Sequence, residues 1–282
     1  MILLDQMTVR FGKFVAVDAL SLQVAAGQIF GFLGPNGAGK TTTIRVLTGV
    51  LRHTSGTVEI SGHHLPSALD KIKPLCGYVP DTEDHFEELT GREHLRTFAS
   101  LYQVPRQRVD EVLGRLELAE AADLAVSRYS KGMRKKLLIA REILHRPKLL
   151  FCDEPTANLD AHSTGVVRAL LRELQQDGTT VFLTTHNMAE VEEICDHVAI
   201  LSGGRLVDSD SPSAFMTRHA ERKVRVEYDA SGKQTRQFFD LDSDEQRAQL
   251  AAMIESRADL RIHSQDFRFE DVFKKLTGER YK

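Results

Sequence analysis

Short apolar segments alternate with longer segments of helical periodicity through most of this chain. The segments GQIFGFLG, KLLFCDEP and TTVFLTT are almost continuously apolar, which is typical of strands buried on both faces of a sheet. Each is followed by a stretch with the length and apolar spacing of a helix. Strands that alternate with helices predict an α/β fold with a mainly parallel sheet and crossover helices.

Two other regions of the chain have a different texture. The opening, LLDQMTVRF and SLQVAAGQ, is β-rich and predicts an antiparallel N-terminal subdomain. From about residue 82 to 145 the pattern is helical, and Thr90 with Glu93 forms a capping box in front of HLRTFASLY. We therefore expect a helical subdomain inserted within the main domain.

The pattern changes again beyond Gly203-Gly204. KVRVEYDA and TRQFFDL alternate like half-exposed strands, while SDEQRAQLAAMIES and FRFEDVFKKLTG have the periodicity of helices. We therefore predict a main domain over residues 1–215 and a small α/β accessory domain over residues 220–282.

Composition indicates a soluble globular protein. The chain of 282 residues is 41% hydrophobic and 27% charged, and its formal net charge is −3. This balance lacks the basic footprint that holds nucleic acid by its phosphates, so we expect no nucleic-acid partner. The short run Arg134-Lys135-Lys136 is interpreted as an exposed helical face.

Cysteine usage and hydropathy bear on the compartment. Cys76, Cys152 and Cys195 are odd in number and widely spaced, which fits a reducing cytosol rather than a disulfide framework. We recognise no signal peptide and no apolar run of the roughly 18 to 20 residues that cross a bilayer. Any role in a membrane process is therefore expected at the membrane surface.

A glycine-rich loop carries the strongest chemical signal. GPNGAGKT fits the pattern GxxxxGK[ST] and lies between a predicted strand and a predicted helix. Its backbone N–H groups would cradle phosphates, its lysine would reach the outer phosphates and its threonine would bind Mg²⁺. On this motif alone a kinase or a GTPase stays possible. The predicted nucleotide-binding residues are Gly34, Pro35, Asn36, Gly37, Ala38, Gly39, Lys40, Thr41 and Thr42.

Two carboxylates follow the apolar strand LLFC. Asp153 at the carboxyl end of a strand beside the phosphate loop is placed to hold Mg²⁺. Glu154 is not needed for the metal, but it would serve as a general base for the attacking water. The alternative is a pair of surface acids at the end of a strand.

The order of five separated motifs resembles the ABC ATPase family over roughly residues 1 to 210. These motifs are GPNGAGKTTT, YVPD, YSKGMRKK, LLFCDEPTANLD and TTH. The resemblance implies a P-loop NTPase core in which Lys40, Thr41 and Asp153 bind MgATP. It also implies that Glu154 is the base for ATP hydrolysis.

The same resemblance assigns further residues. Phe11 lies where an aromatic ring stacks on adenine in this family, and the alternative is an aromatic in the strand core. His186 matches the switch histidine that contacts the terminal phosphate. Asp160 matches a loop along the dimer interface. Ser130 and Gly132 match the signature that approaches the ATP of the other protomer, so a homodimer is implied.

This sequence departs from the family pattern at two motifs. The signature usually reads LSGGQ, but here Lys131 replaces its first glycine and Met133 its glutamine. Asp81 in YVPD stands where a glutamine usually touches the metal or water and senses the transmembrane partner. Aspartate is shorter and charged, so the reach of this residue and its affinity for metal differ from the family pattern.

The resemblance also implies a membrane partner. The helical stretch after Asp81 would meet a separate permease, with Phe86 and Leu89 as candidate contacts or, alternatively, as buried residues. The ending FEDVFKKLTG is similar to the tail of exporter subunits of the ABC-2 type. We therefore expect a peripheral ATPase on the cytoplasmic face of the membrane. Two alternatives stay open: a soluble ABC ATPase of translation or DNA maintenance, and a regulatory subunit that hydrolyses little ATP.

Overall fold

A computed structural model describes residues 1–82, 84–219, 223–230, 233–257, 259–264 and 268–278. Short 3-10 helices cover Lys73–Leu75 and Val126–Arg128. The strands and α-helices follow in the order β1 (Ile2–Phe11), β2 (Phe14–Val24), β3 (Ile29–Leu33), α1 (Lys40–Leu47), β4 (Ser55–Ile60), β5 (His63–His64), α2 (Leu69–Ile72), β6 (Cys76–Val79), α3 (Gly91–Leu101), α4 (Arg106–Arg115), α5 (Lys131–Ile143), β7 (Leu149–Asp153), α6 (Ala161–Gln176), β8 (Thr180–Thr184), α7 (Met188–Ile194), β9 (His197–Ser202), β10 (Arg205–Asp210), α8 (Pro212–His219), β11 (Lys223–Ala230), β12 (Lys233–Asp240), α9 (Asp244–Ser256), β13 (Arg261–Ser264) and α10 (Phe269–Thr277).

A six-stranded sheet forms the centre of the fold. Its order is β10-β9-β3-β8-β7-β6, and every pair is parallel except β9 with the edge strand β10. The three apolar segments of the sequence are its central strands β3, β7 and β8, and all fifteen of their residues are buried. The predicted α/β class with a mainly parallel sheet is confirmed.

Burial on both faces explains why these strands are apolar at every position. Alternate side chains of a strand point to opposite faces. Leu149 and Phe151 of β7 pack in the layer that contains α1 and the antiparallel sheet. Leu150 and Cys152 pack instead in the layer that contains α3 to α7. Two hydrophobic cores therefore meet at one sheet, and its carboxyl edge is held rigidly from both sides.

The N-terminal strands form the predicted antiparallel sheet, in the order β2-β1-β4-β5. Ile2, Leu4 and Val9 of β1 are buried, while their neighbours in the strand are exposed at several positions. One face of this sheet therefore covers the central sheet and the other meets solvent.

The helical region contains α3, α4 and α5. Its predicted start is confirmed, because the hydroxyl of Thr90 accepts from the N–H of Glu93 and the Glu93 carboxylate accepts from the N–H of Thr90. The interpretation of residues 134–136 as an exposed face is wrong at two positions. Lys135 and Lys136 are buried in α5, and the ammonium of Lys135 donates to main-chain carbonyls.

The C-terminal region divides between two cores. Strands β12-β11-β13 form a sheet whose inner face packs on α9 through Val226, Phe239 and Leu250. Helix α10 instead packs against α7 and α8, and Phe269 and Phe273 belong to the main core. The boundaries proposed from the sequence, 1–215 and 220–282, stay predictions. Within the residues that the structure describes, no helix combines the length and apolarity needed to span a bilayer.

Candidate functional site

The phosphate loop lies between the end of β3 and the start of α1, and its backbone is tightly enclosed. Gly34 and Gly39 are buried, and both have positive φ angles, 159° and 102°. A Cβ on Gly34 would lie 2.6 Å from the carbonyl oxygen of Leu201, and one on Gly39 would lie 2.7 Å from that of Ala16. Glycine is required at both positions because no side chain fits there.

The other side of this loop is open. Asn36 and Gly37 are exposed, and Gly37 has a φ of 81°, with no atom within 4 Å of the place that a Cβ would take. The ammonium of Lys40 donates to the carbonyls of Gly34 (2.5 Å) and Pro35 (3.1 Å) and so lies across the loop. The first turn of α1 contains no acidic residue. An exposed stretch of backbone, an ammonium lying across the loop and a first helical turn without acidic residues together suit the binding of a polyphosphate.

Asp153 ends β7 beside β8. Its side chain is buried, and its Oδ1 accepts a 2.5 Å hydrogen bond from the hydroxyl of Thr184, its partner in the parallel ladder. The negative charge of Asp153 contributes, after burial, to raising the pKa of Tyr78. Asp153 is thus held in one orientation at the carboxyl edge of the sheet.

Glu154 has a backbone conformation that is unusual for a residue with a side chain. Its φ is +51°, and its N–H donates to the carbonyl of Thr184 at 3.1 Å. This geometry turns the carboxylate toward His186, whose Nδ1 lies 2.8 Å from Glu154 Oε2. Left-handed backbone at a residue other than glycine is concentrated at functional sites.

Two opposing effects set the basicity of Glu154. Burial raises the pKa of its carboxyl, and the hydrogen bonds and charge of His186 act to lower it. The positive charge of Lys40 lowers it as well. The net direction is upward, so the carboxylate is a stronger base than a solvent-exposed glutamate.

The donor set beside the loop fits magnesium. Thr41 in the first turn of α1 offers a hydroxyl and Asp153 a carboxylate, and Mg²⁺ prefers such oxygen ligands. Among the described residues, no cluster of three or more His, Cys, Asp or Glu side chains could hold a metal alone. A magnesium ion here would therefore complete its shell with phosphate oxygens and water, as is usual for nucleotide-bound Mg²⁺.

The signature residues form a second cluster at the starts of α5 and α6. Ser130 caps α5 by accepting from the N–H of Met133 at 3.2 Å. Asp160 caps α6 by accepting from the N–H and hydroxyl of Ser163. A Cβ on Gly132 would lie 2.9 Å from the Ser163 hydroxyl. The sequence motifs YSKGM and ANLD are thus packed against each other, with Ser130 and Asp160 exposed.

Asp81 lies close to this second cluster. A cleft of about 500 Å³ is lined by Asp81, Lys131 and Asn158, among others. The buried Lys135 of α5 donates to the carbonyls of Pro80 (3.0 Å) and Asp81 (3.3 Å). The signature helix therefore holds the main chain of the YVPD segment directly.

Phe11 stands apart at the end of β1. Half of its side chain is exposed, so the alternative of a core aromatic is wrong. Phe86 is exposed as well, and Leu89 is half-buried. Their roles toward adenine and a membrane partner stay predictions.

Sequence reasoning grouped four residues that the structure brings to one edge of the sheet: Lys40, Asp153, Glu154 and His186. It missed Thr184, Lys135 and Glu190, which hold this edge and its neighbouring segments in place. The threonine of TTH was within a recognised motif. Lys135 was also within a recognised motif, but its basic neighbours gave no signal that it is buried, and Glu190 in its polar stretch gave none at all.

Comparisons with known proteins agree with this geometry. The family model described as ABC transporter matches residues 17–157. The fluoroquinolones export ATP-binding protein of Mycobacterium tuberculosis is 36% identical over 276 residues, which cover 96% of this chain and 91% of that protein. The Nod factor export ATP-binding protein I of Mesorhizobium japonicum is 34% identical over 293 residues, covering 96% and 85%.

A solved structure supports the fold. A dimeric ATP-binding cassette in a post-hydrolysis state, bound to ADP and Pi, superposes with a TM-score of 0.68 at 24% identity. The match covers 75% of this chain and 98% of that one. The chain therefore belongs to the ABC transporter family, as a subunit that binds and hydrolyses ATP.

Proposed function

We propose that this chain is the MgATP-driven motor of an exporter, that it works as a homodimer and that it docks on a separate permease of the ABC-2 type. One observation carries the proposal: Glu154 and His186 are hydrogen bonded at 2.8 Å at the edge of the sheet. The positive charge of Lys40 acts on the same carboxylate and lowers its pKa. A base, its orienting partner and a phosphate-binding cation thus share one site.

Each residue of this edge has a distinct chemical role. The N–H groups after β3 and the ammonium of Lys40 bind the phosphates. Glu154 accepts the proton of the attacking water, and its raised pKa brings its basicity closer to that of an efficient general base. His186 orients Glu154 and contacts the terminal phosphate. Thr41 and Asp153 would hold Mg²⁺, which would neutralise phosphate charge.

Adenine would stack on Phe11, whose ring is half exposed at the end of β1. Asp81 would approach the metal-bound water through the cleft that it shares with Lys131. Both assignments follow the family resemblance, and both are supported by the exposure of these side chains.

A homodimer would complete the site. Ser130, Gly132 and Asp160 lie together at two helix starts, and Ser130 and Asp160 are exposed. Helix N-termini bind anions, so the start of α5 with Ser130 and Gly132 suits the phosphates held by a second copy of the chain, and Asp160 would lie along the interface between the copies. The similar solved cassette is itself a dimer. Two ATP molecules would then stabilise the closed dimer and hydrolysis would reopen it.

A groove beside the helical region suits the permease. A cleft of about 580 Å³ lies between the end of α1, the segment before β6 and the end of α3. Val50 and Leu101 at its rim are more than 70% exposed, and Tyr102 is also exposed. Phe86, whose ring stacks on that of Phe98 in α3, is exposed as well. Exposed apolar clusters of this kind mark protein interaction sites.

The names of the relatives support the role in export. The two similar curated proteins carry export in their names, and the FEDVFKKLTG ending resembles the ABC-2 branch. The substrate would be selected by the permease, and this chain would act peripherally on the cytoplasmic face of the membrane. We propose no nucleic-acid partner, because the net charge is −3.

The variant Glu154→Gln tests the chemistry. We expect it to bind MgATP with an affinity close to that of the wild type and to lose turnover by roughly 100-fold or more, since a general base contributes about that factor. Glu173→Gln, on an exposed glutamate paired with Arg115, is the matched control and should retain turnover. Normal steady-state hydrolysis by Glu154→Gln would contradict the assignment of the base.

Affinity purification from native membranes in mild detergent tests the partner. Recovery of a polytopic membrane protein in equal stoichiometry supports the exporter assignment. Recovery only with ribosomes or DNA, or without a partner, would leave the ATPase chemistry intact and overturn the membrane role. Substitution of Val50 and Leu101 by aspartate should abolish the co-purification without reducing basal hydrolysis.

A further inference from the structure

A second glutamate lies buried behind the site. Glu190 of α7 has 0% of its surface exposed. Its Oε1 accepts a 2.8 Å hydrogen bond from the hydroxyl of Thr156, which is itself buried. The Nε of Arg168 on α6 lies 3.6 Å from the same oxygen. This carboxylate therefore joins three elements: α7, α6 and the loop between β7 and α6.

The two ends of this contact lie next to the reacting groups. Thr156 follows Glu154 by two residues in the loop, and Glu190 lies in the first turn of α7, four residues after His186. Glu154 and His186 meet at 2.8 Å on the exposed side of these elements. The hydrogen bond from Thr156 to Glu190 joins the β7–α6 loop to α7 on the buried side.

The contact is costly as a purely structural feature. Burying a carboxylate requires compensation by charge and hydrogen bonds. Among the described residues, Oε2 of Glu190 has no hydrogen-bond partner. Arg168 divides its charge between Glu190 and Glu193, with which it also pairs. In other proteins, apolar replacements of buried charged contacts are often neutral or stabilising, so stability alone does not account for this contact, whereas a role in holding geometry does.

The loop between β7 and α6 contains a residue in an unfavourable backbone conformation. Glu154 has a φ of +51°, which a non-glycine residue adopts only when its surroundings enforce it. The main chain contributes two restraints, from Glu154 N–H to the Thr184 carbonyl and from Ala157 N–H to the Glu154 carbonyl. The hydroxyl of Thr156 adds a side-chain restraint that ties this turn to α7, the helix that follows His186.

We propose that Glu190, through Thr156, is a positioning residue that keeps the Glu154 carboxylate and His186 in register for hydrolysis. The inference rests on the proposed roles of Glu154 and His186. It predicts that breaking the hydrogen bond slows the chemical step and leaves nucleotide binding intact, because neither residue lies in the phosphate loop.

The test is Thr156→Val, which keeps the shape of the side chain and removes its hydroxyl. We expect kcat for ATP to fall on the order of 10-fold, since small misplacements of reacting groups cost such factors, with KM changed by less than about 2-fold. Thr156→Ser restores a hydroxyl and should recover most of kcat. Glu193→Gln, also paired with Arg168 but exposed and not in contact with Thr156, is the matched control.

The results separate this inference from the proposed function. Glu154→Gln is assayed in parallel, and wild-type turnover by that variant would overturn the assignment of Glu154 as the base, on which this inference rests. If Glu154→Gln is inactive but Thr156→Val has the wild-type kcat, only the positioning role is wrong. A Thr156→Val variant that loses ATP affinity together with kcat, or one that Thr156→Ser does not improve, would likewise overturn it.

Discussion

Stability should depend on pH through a histidine that the proposed mechanism does not use. His94 of α3 is fully buried, and its ring lies 5.1 Å from that of Phe98 and 5.3 Å from that of His85. Among the described residues, neither of its ring nitrogens has a hydrogen-bond partner. Burial, followed by the charges of His85 and Arg141, lowers the pKa of His94 from 6.5 to about 4.

The direction and size of the effect follow from proton linkage. Because the folded state binds its proton only near pH 4, the unfolded state binds more protons below pH 6.5. The contribution of neutral His94 to the free energy of unfolding is therefore fully present above pH 6.5. It is lost progressively as the pH falls toward 4. Between pH 7.5 and 5.5, these pKa values give a loss of about 1.3 kcal/mol in the free energy of unfolding from His94 alone.

Urea unfolding of the wild type and of His94→Phe measures this contribution. The chain contains no tryptophan, so far-UV circular dichroism is the suitable signal. When the pH is lowered from 7.5 to 5.5, the free energy of unfolding of the variant should rise by about 1.3 kcal/mol relative to that of the wild type. Leu170→Ala, a change at a buried apolar residue of α6, should lower stability equally at both pH values. Equal pH dependence in wild type and His94→Phe would refute the reasoning.

Three further predictions concern the site. Gly39→Ala should weaken ATP binding severely, since it places a side chain at a φ of 102° and 2.7 Å from the Ala16 carbonyl oxygen. The backbone strain alone costs about 1–2 kcal/mol, and an unchanged affinity for ATP in equilibrium binding would contradict the tight enclosure of the loop. Lys135→Met should release the main chain at Pro80 and Asp81, which faster amide hydrogen exchange at Asp81 would reveal and an unchanged rate would contradict. Chelation of Mg²⁺ should abolish hydrolysis, and full activity in excess EDTA would exclude Thr41 and Asp153 as metal ligands.

Local patterns predicted most of the fold because each signal has a local physical cause. Strands β3, β7 and β8 are apolar at every position since both faces are buried, so they were visible in the sequence. The capping box of Thr90 and Glu93 involves groups only three residues apart. The phosphate loop was equally visible, because glycine at positions 34 and 39 is demanded by close backbone contacts.

Features that depend on distant residues could not be predicted in this way. Lys135 lies in a basic run that resembles a solvated helix face, but its partners are carbonyls more than 50 residues earlier. Glu190 occurs in the polar string MAEVEE, where nothing distinguishes it from its exposed neighbours Glu192 and Glu193. Only the packing of α7 on α6 and the β7–α6 loop buries Glu190 fully and gives it its contacts with Thr156 and Arg168.

The position of α10 has a consequence for how the C-terminal region can be removed. Phe269 and Phe273 complete the main core beside Phe215, and the N–H of Phe269 donates to Glu192 on α7 at 2.6 Å. The unit of β11, β12, α9 and β13 is therefore inserted in the chain between α8 and α10, two helices that both pack in the ATPase core. Truncation after α8 would remove Phe269 and Phe273 from the main core, so an effect on stability could not be told apart from the loss of what the small sheet does. Excision of residues 223–264 alone, with a short linker to α10, would isolate what the small sheet contributes.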